Sequence, residues 1–157
     1  MPLVECFDIG GTGIKYALIE NEKILYQKEH PTPRGDFSAL LGLLSTISSE
    51  GKKSLPSASE VKVTILGFPG PVKGMQLLGS SPLGVEKTMD LSLLQKIIPN
   101  PFLAGNDLNL AVRAEKEKGI GKSAQNFYLL SLSTGIGAGI VQNGKVLGGT
   151  AGEFGHC

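Results

Sequence analysis

The sequence has 157 residues, enough for one ordinary domain or for one domain and the start of a second. Its 41% of hydrophobic residues is typical of a globular protein, and a formal net charge of +1 without basic runs argues against a nucleic-acid-binding protein. No window approaches the roughly 18 apolar residues of a membrane span. We therefore expect a soluble, cytoplasmic protein that binds neither nucleic acid nor membrane.

The first thirty residues predict an antiparallel meander of three strands. Apolar, strand-like runs cover Leu3–Ile9, Ile14–Ile19 and Ile24–Lys28. The connection between the first two, residues 8–13, is rich in glycine and short enough only for a hairpin loop. Pro31 is expected to end the third strand.

The middle of the chain predicts alternating helices and strands, and so an α/β fold. Helical spacing of apolar residues, caps and β-branched runs define five elements. They are a helix from Phe37 to Gly51 with Asp36 as N-cap, a buried strand Val61–Phe68, a helix Asp90–Ile98, a strand Phe102–Ala104 and a helix Leu108–Lys118.

The last forty residues repeat the order of the first thirty. A strand Phe127–Leu132, a glycine-rich turn 133–137 and a strand Ala138–Val141 are followed by an Asn143-Gly144 hairpin signal. This weak internal symmetry predicts two related domains, 1–119 and 120–157. The second would be cut off after its first hairpin and one loop, and about 35 residues of that kind could not close an independent core.

The two glycine-rich loops are candidate phosphate-binding sites. Glycines at a hairpin bend let backbone N–H groups converge on an anion, and Thr12 adds a hydroxyl to the first loop. Asp8 could hold a hydrated Mg²⁺ beside phosphate oxygens. The alternative for each loop is a plain β-turn, with Asp8 as a surface carboxylate.

Two further groups of polar residues could act on a substrate hydroxyl. Asn106-Asp107 ends a predicted strand and opens a helix, where Asp107 could accept a proton from an attacking hydroxyl; both residues are also favoured N-caps. Glu153 and His156 could bind hydroxyl groups or be an exposed polar pair. His156 with Cys157 falls short of the three or four ligands of a zinc site.

Taken together, five segments resemble the ROK family of sugar kinases, within the actin-like, hexokinase and Hsp70 superfamily. The resemblance covers the whole chain, with the motifs in the family's order. The segments are Asp8-Ile9-Gly10-Gly11-Thr12, Gly67-Phe68-Pro69-Gly70, Gly105-Asn106-Asp107-Leu108-Asn109, Ser133-Thr134-Gly135-Ile136-Gly137 and Ala151-Gly152-Glu153-Phe154-Gly155-His156.

The resemblance implies a ribonuclease H-like (actin-like ATPase) domain, with a mixed sheet flanked by helices, and the first hairpin of a second such domain. It implies transfer of the terminal phosphate of ATP to the 6-hydroxyl of a hexose such as glucose, fructose, mannose or an N-acetylhexosamine. Asp107 would be the general base and Asp8 would serve Mg²⁺ through water. The sugar would be bound by Gly70, Asn106, Asp107, Glu153 and His156, and the ATP phosphates by Asp8, Gly10, Gly11, Thr12, Lys15, Thr134, Gly135 and Gly137.

Several alternatives stay open within this resemblance. Gly13-Ile14-Lys15 matches a variant found in polyphosphate-using relatives, so polyphosphate is an alternative donor. A second alternative is a non-catalytic sugar-binding regulator, although only seven residues precede Asp8 and leave no room for a helix-turn-helix there. Zinc binding through His156 is expected only if the chain continues. The 157 residues alone are expected to be inactive. Formation of a homodimer stays open.

Overall fold

The computed structural model describes residues 2–56, 59–132 and 136–148. These ranges contain strands, two α-helices and one 3₁₀-helix. In chain order they are β1 (Leu3–Ile9), β2 (Gly13–Glu20), β3 (Lys23–Pro31), α1 (Phe37–Lys53), β4 (Val61–Phe68), β5 (Val72–Lys73), β6 (Gln76–Leu77), β7 (Met89–Asp90), the 3₁₀-helix (Leu91–Lys96), β8 (Phe102–Asn106), α2 (Asp107–Lys118), β9 (Phe127–Leu132), β10 (Ile136–Gln142) and β11 (Lys145–Val146).

The main sheet has five strands in the order β3-β2-β1-β4-β8. β1 is antiparallel to β2 but parallel to β4, and β4 is parallel to β8, so the sheet is mixed. The carboxyl ends of β1, β4 and β8 therefore lie at one edge. This edge gathers the first glycine-rich loop and the Asn106-Asp107 pair.

The predicted meander β1-β2-β3 is confirmed, but β3 is longer than expected. It runs from Lys23 to Pro31, past the predicted end at Lys28. Pro31 is tolerated because β3 is the edge strand, where a missing N–H breaks no bond of the ladder.

Helix α1 covers one face of the main sheet. Its predicted N-cap is confirmed, since the Oδ1 of Asp36 accepts a hydrogen bond from the N–H of Ala39 at 2.8 Å. The predicted end at Gly51 was wrong, because the helix continues to Lys53. Gly51 is instead a packing residue: a Cβ there would lie 2.3 Å from the ring and hydroxyl of Tyr16 on β2.

Helix α2 covers the opposite face of the main sheet and also contacts the second sheet. A Cβ at Gly67 or at Gly105 would lie 3.5 Å or more from α2, with Leu110 in contact at both positions. On the other side of the helix, a Cβ at Gly139 would come within 2.5 Å of the backbone oxygen of Leu108. Glycine is required for the close approach at position 139, whereas a Cβ at Gly67 or Gly105 would make only ordinary van der Waals contact with α2.

The second sheet is a small antiparallel meander in the order β11-β10-β9. It repeats the arrangement of β3-β2-β1, as the internal symmetry of the sequence suggests. One face packs on α2, while the other exposes a set of large apolar side chains. They are Tyr128, Leu130, Leu132 and Ile136. The division into domains at residue 119 stays a prediction.

The segment between β4 and β8 differs most from the sequence-based expectation. The predicted helix Asp90–Ile98 is a 3₁₀-helix of six residues, with Asp90 as its N-cap. The helix ends at Lys96, two residues before the predicted end, with Ile97 as its C-cap. A three-stranded sheet β5-β6-β7 was not predicted, since two-residue strands leave no periodic pattern. No helix in the described ranges is long and apolar enough to cross a membrane.

Candidate active site at the carboxyl edge of the main sheet

The register of the parallel strands aligns the candidate residues across the sheet. Asp8 pairs with Gly67, and Gly67 pairs with Gly105. Two strand spacings separate the backbones of Asp8 and Gly105, roughly 10 Å. Asn106 and Asp107 follow directly, so the first loop and the helix start of α2 border the same edge.

The first glycine-rich loop has a defined hydrogen-bond pattern. The N–H of Gly10 donates to the backbone oxygen of Gly13 at 2.8 Å. The hydroxyl of Thr32 donates to the backbone oxygen of Gly10 at 2.7 Å. The N–H of Thr32 donates to the backbone oxygen of Thr12 at 3.1 Å. Among the described residues we find no partner for the N–H groups of Gly11 and Thr12. These two donors are available to an anion.

A second segment supports the loop from the side of β4. A Cβ at Gly11 would lie 2.9 Å from both the Cβ and the backbone oxygen of Pro82. The backbone oxygen of Leu83 in turn accepts from the N–H of Gly35 at 2.7 Å. Any side chain at position 11 would therefore collide with Pro82 or displace the loop.

Asp8 lies on the exposed face of β1 in a row of alternating charges. Its carboxylate is 60% exposed and 3.8 Å from the ammonium of Lys15, which register places opposite both Asp8 and Glu29. The three side chains border a groove of about 420 Å³. An exposed carboxylate fits the donor set that hydrated Mg²⁺ prefers, so Asp8 could hold this ion.

Asn106 is buried and performs two tasks. It is only 3% exposed, and its Oδ1 accepts from the N–H of Asn109 at 3.0 Å, which makes it the N-cap of α2. Its Nδ2 donates to the backbone oxygen of Gly70 at 3.3 Å. The residue thereby joins the start of α2 to the turn after β4.

Asp107 is the first residue of α2 and is half-buried. Its Oδ1 accepts from the N–H of Leu108 at 2.8 Å and from the Nδ2 of Asn106 at 3.2 Å. The helix dipole stabilises a negative charge at this position. The carboxylate is thus held in a fixed orientation at the sheet edge, as a general base requires.

The turn at Gly70 is locked by contacts that leave no room for a side chain. A Cβ at Gly70 would lie 2.4 Å from the backbone oxygen of Gly79. The hydroxyl of Ser80 donates to the backbone oxygen of Pro69 at 2.6 Å. Gly70 therefore brings the turn and the segment around Ser80 together beside Asn106.

Several predicted site residues lie outside the described ranges. They are Thr134, Gly135, Glu153 and His156, together with Cys157. Gly137 is described, and it is buried in β10 opposite Ser131 instead of lying in the turn. No group of three or more His, Cys, Asp or Glu within the described part of the chain could hold a metal ion. The zinc prediction at His156 thus stays a prediction.

Sequence reasoning missed Thr32 and Pro82 as residues that shape the first loop. Thr32 lies between Pro31 and Pro33, which indicated only the end of a strand. Both residues contact the loop across a large sequence separation. No local pattern in the sequence predicts such contacts.

Comparison with known proteins decides the family of this chain. Its sequence matches the ROK family over residues 4–157. The chain belongs to the ROK family. The predicted fold class is therefore confirmed, with its mixed sheet flanked by helices.

Relatives within the ROK family have more than one role. The chain is 32% identical to a glucokinase of Halalkalibacterium halodurans, over 95% of this chain and 48% of that protein. It is 29% identical to an N-acetyl-D-glucosamine kinase of Yersinia pestis, over 96% of this chain and 60% of that protein. A solved ROK family transcriptional regulator, a homologue of the E. coli MLC protein, superposes with a TM-score of 0.85 at 25% identity, over 98% of this chain and 40% of that one.

The chain spans about half the length of the curated relatives that it matches.

Proposed function

We propose that this ROK protein is a sugar kinase that transfers the terminal phosphate of ATP to the 6-hydroxyl of a hexose. One observation carries the proposal: the loop 10–13 and Asp107 lie at the same edge of the sheet, roughly two strand spacings apart. That separation suits a phosphoryl group between a phosphate-binding loop and a base. The kinase relatives support phosphoryl transfer to a sugar as the reaction class. The activity of the whole protein is part of this proposal.

In the proposed reaction, Asp107 accepts the proton of the sugar hydroxyl as its oxygen attacks the terminal phosphorus of ATP. The new O–P bond forms while the bond to the bridging oxygen of ADP breaks, so that ADP leaves with that electron pair. The N–H groups of Gly11 and Thr12 bind phosphate oxygens. Mg²⁺ near Asp8 would neutralise charge on the phosphates.

Asn106 would orient the turn at Gly70 and the carboxylate of Asp107 relative to each other. It donates to the oxygen of Gly70 and to the carboxylate of Asp107, and it is nearly fully buried. The turn at Gly70 and the base at Asp107 are thereby held together. We propose Gly70, Asn106 and Asp107 as the described part of the sugar site, with Glu153 and His156 as further sugar-binding residues.

The test is an assay of the complete translation product that contains these 157 residues. ADP release is followed with glucose, mannose, fructose and N-acetylglucosamine, and the phosphorylated position is identified by NMR. We expect ATP-dependent formation of a 6-phosphate. Asp107→Asn is expected to lower kcat at least 100-fold, because general-base catalysis contributes that much.

Asp90→Asn is the matched control for the base. Asp90 is also an aspartate at a helix start, where its Oδ1 accepts from the N–H of Ser92 at 2.8 Å, but it lies outside the site. Its activity should stay within twofold of wild type. Near-full activity of Asp107→Asn would contradict the assignment of the base.

A sugar-binding regulator without catalysis is the second candidate, supported by the similarity to the transcriptional regulator. It predicts sugar binding by calorimetry without turnover, together with salt-dependent DNA binding. Polyphosphate is the alternative donor suggested by Gly13-Ile14-Lys15. Replacing ATP by polyphosphate in the same assay distinguishes the two donors.

A further inference from the structure

Thr32 forms two hydrogen bonds to the first glycine-rich loop, although it lies outside every motif. Its hydroxyl donates to the oxygen of Gly10 at 2.7 Å, and its N–H donates to the oxygen of Thr12 at 3.1 Å. It follows β3, whose last residue Pro31 pairs with Gly13. The loop is thus bound at both ends by one half-buried residue.

These two bonds determine which loop groups face outward. The oxygens of Gly10 and Thr12 point toward Thr32, away from an anion that they would repel. The N–H of Gly10 is used within the loop, by the oxygen of Gly13 at 2.8 Å. Within the described part of the chain, the N–H groups of Gly11 and Thr12 have no partner and can bind a ligand.

The loop needs such support because glycine is flexible. Gly10, Gly11 and Gly13 surround a single residue with a side chain, so the unsupported loop would sample many conformations. Pro82 limits motion on one side, since a Cβ at Gly11 would lie 2.9 Å from it. Thr32 supplies the directional contacts on the other side.

We propose that Thr32 is a positioning residue for donor-phosphate binding, acting through the peptide groups of Gly10 and Thr12. The assignment rests on the proposed function, because it names the part of the site that prepares the N–H groups for phosphate. Thr32 itself does not touch the phosphate. Its hydroxyl holds the loop in the binding conformation before the nucleotide arrives.

The informative change is Thr32→Val, which removes the hydroxyl and keeps the branched shape. Thr32→Ser restores the donor. Thr46→Val is the matched control, because the hydroxyl of Thr46 also donates to a backbone oxygen, that of Gly42 at 3.0 Å, on the exposed face of α1.

The first readout is hydrogen exchange of the loop amides, which does not depend on enzymatic activity. Thr32→Val should speed the exchange of the hydrogen-bonded amides of Gly10 and Thr32 by about fivefold, in line with the loss of one hydrogen bond that holds the loop. Thr32→Ser and Thr46→Val should leave these amides at the wild-type rate. Unchanged exchange in Thr32→Val would overturn the positioning role, whether or not the protein is a kinase.

The second readout separates the KM for ATP from that for sugar in the complete translation product. Thr32→Val should raise the KM for ATP about fivefold while the KM for sugar stays within twofold, and Thr32→Ser should recover the wild-type value. A loop that opens without any change in the KM for ATP would overturn the link to phosphate. Absence of sugar phosphorylation by the wild type would instead overturn the proposed function, while the exchange experiment still decides whether Thr32 orders the loop.

Discussion

The side-chain amide of Asn106 and the backbone oxygen of Gly70 are joined by a hydrogen bond of 3.3 Å between the ends of neighbouring parallel strands. The same side chain caps α2 through the N–H of Asn109. One buried residue therefore serves both helix formation and the geometry of the turn. Its two tasks can be separated by substitution.

Asn106→Ala should remove the cap and both bonds of the side-chain amide, to Gly70 and to Asp107, whereas Asn106→Ser should keep only the cap. Loss of an N-cap costs about 1 kcal/mol, and loss of the bond to Gly70 about 1 kcal/mol more. We therefore expect Asn106→Ala to lower the free energy of unfolding by about 2 kcal/mol in urea titrations, and Asn106→Ser by about half as much. Equal losses in the two variants would mean that the cap contributes nothing, and an unchanged free energy of unfolding in Asn106→Ser would mean that the bonds of the side-chain amide contribute nothing.

Gly51→Ala and Gly42→Ala form a matched pair within α1. At Gly51 the new Cβ would lie 2.3 Å from Tyr16, whereas at Gly42 nothing lies within 4 Å. Gly51→Ala should therefore lower the free energy of unfolding by about 2 kcal/mol through overpacking. Gly42→Ala should raise it by up to about 1 kcal/mol, because alanine favours the helix. The packing role of Gly51 is wrong if both variants are stabilised in urea titrations.

These glycines show what a sequence can and cannot predict about this fold. The N-cap at Asp36, the strand Val61–Phe68 and the meander follow from local patterns and were confirmed. Gly51 looked like a helix end because glycine is common there. Its real role depends on Tyr16, thirty-five positions earlier, and only the folded structure shows that contact.

The same distinction holds for the candidate site. Asp8, Asn106 and Asp107 could be proposed because they end strands next to turns, and parallel strands bring such ends together. Thr32 and Pro82 could not, because a hydrogen bond across twenty-two residues and a close contact across seventy-one have no local signature. Motif position identifies reactive groups, whereas their support comes from the packing of remote segments.

Cys6 should react slowly with thiol reagents in the folded protein. It is half-buried on β1, two residues before Asp8, and burial together with the negative charge of Glu5 raises the pKa of its thiol. Because the thiolate is the reactive form, less of it exists at pH 8 in the folded than in the unfolded chain. In a Cys157→Ser background, a thiol reagent should label Cys6 more slowly in the folded protein than in the chain unfolded in urea.

The pH dependence of the labelling rate distinguishes the pKa from simple shielding. A raised pKa moves the plateau of the rate to a higher pH, whereas shielding lowers the rate equally at every pH. We expect the plateau for folded Cys6 above that for the same thiol in urea. Plateaus at the same pH would leave shielding as the cause of the slow reaction.

The hydroxyl of Tyr16 should contribute to stability through Glu5, which alternation along β1 places on the core face with Phe7. Glu5 is fully buried; its carboxylate accepts from the hydroxyl of Tyr16 at 2.9 Å and from that of Thr64 at 2.8 Å. The ammonium of Lys52 at the end of α1 lies 3.6 Å away. The buried carboxylate thus joins two neighbouring strands to the helix.

Tyr16→Phe removes one donor from this carboxylate without changing the shape of the core. A hydrogen bond to a charged group contributes about 2 kcal/mol, so we expect a loss of that size in the free energy of unfolding at pH 7. Tyr128→Phe, at a side chain that is 71% exposed, is the control and should change it by less than about 0.5 kcal/mol. If the two variants unfold at the same urea concentration, Thr64 and Lys52 alone satisfy Glu5, and the hydroxyl of Tyr16 is dispensable.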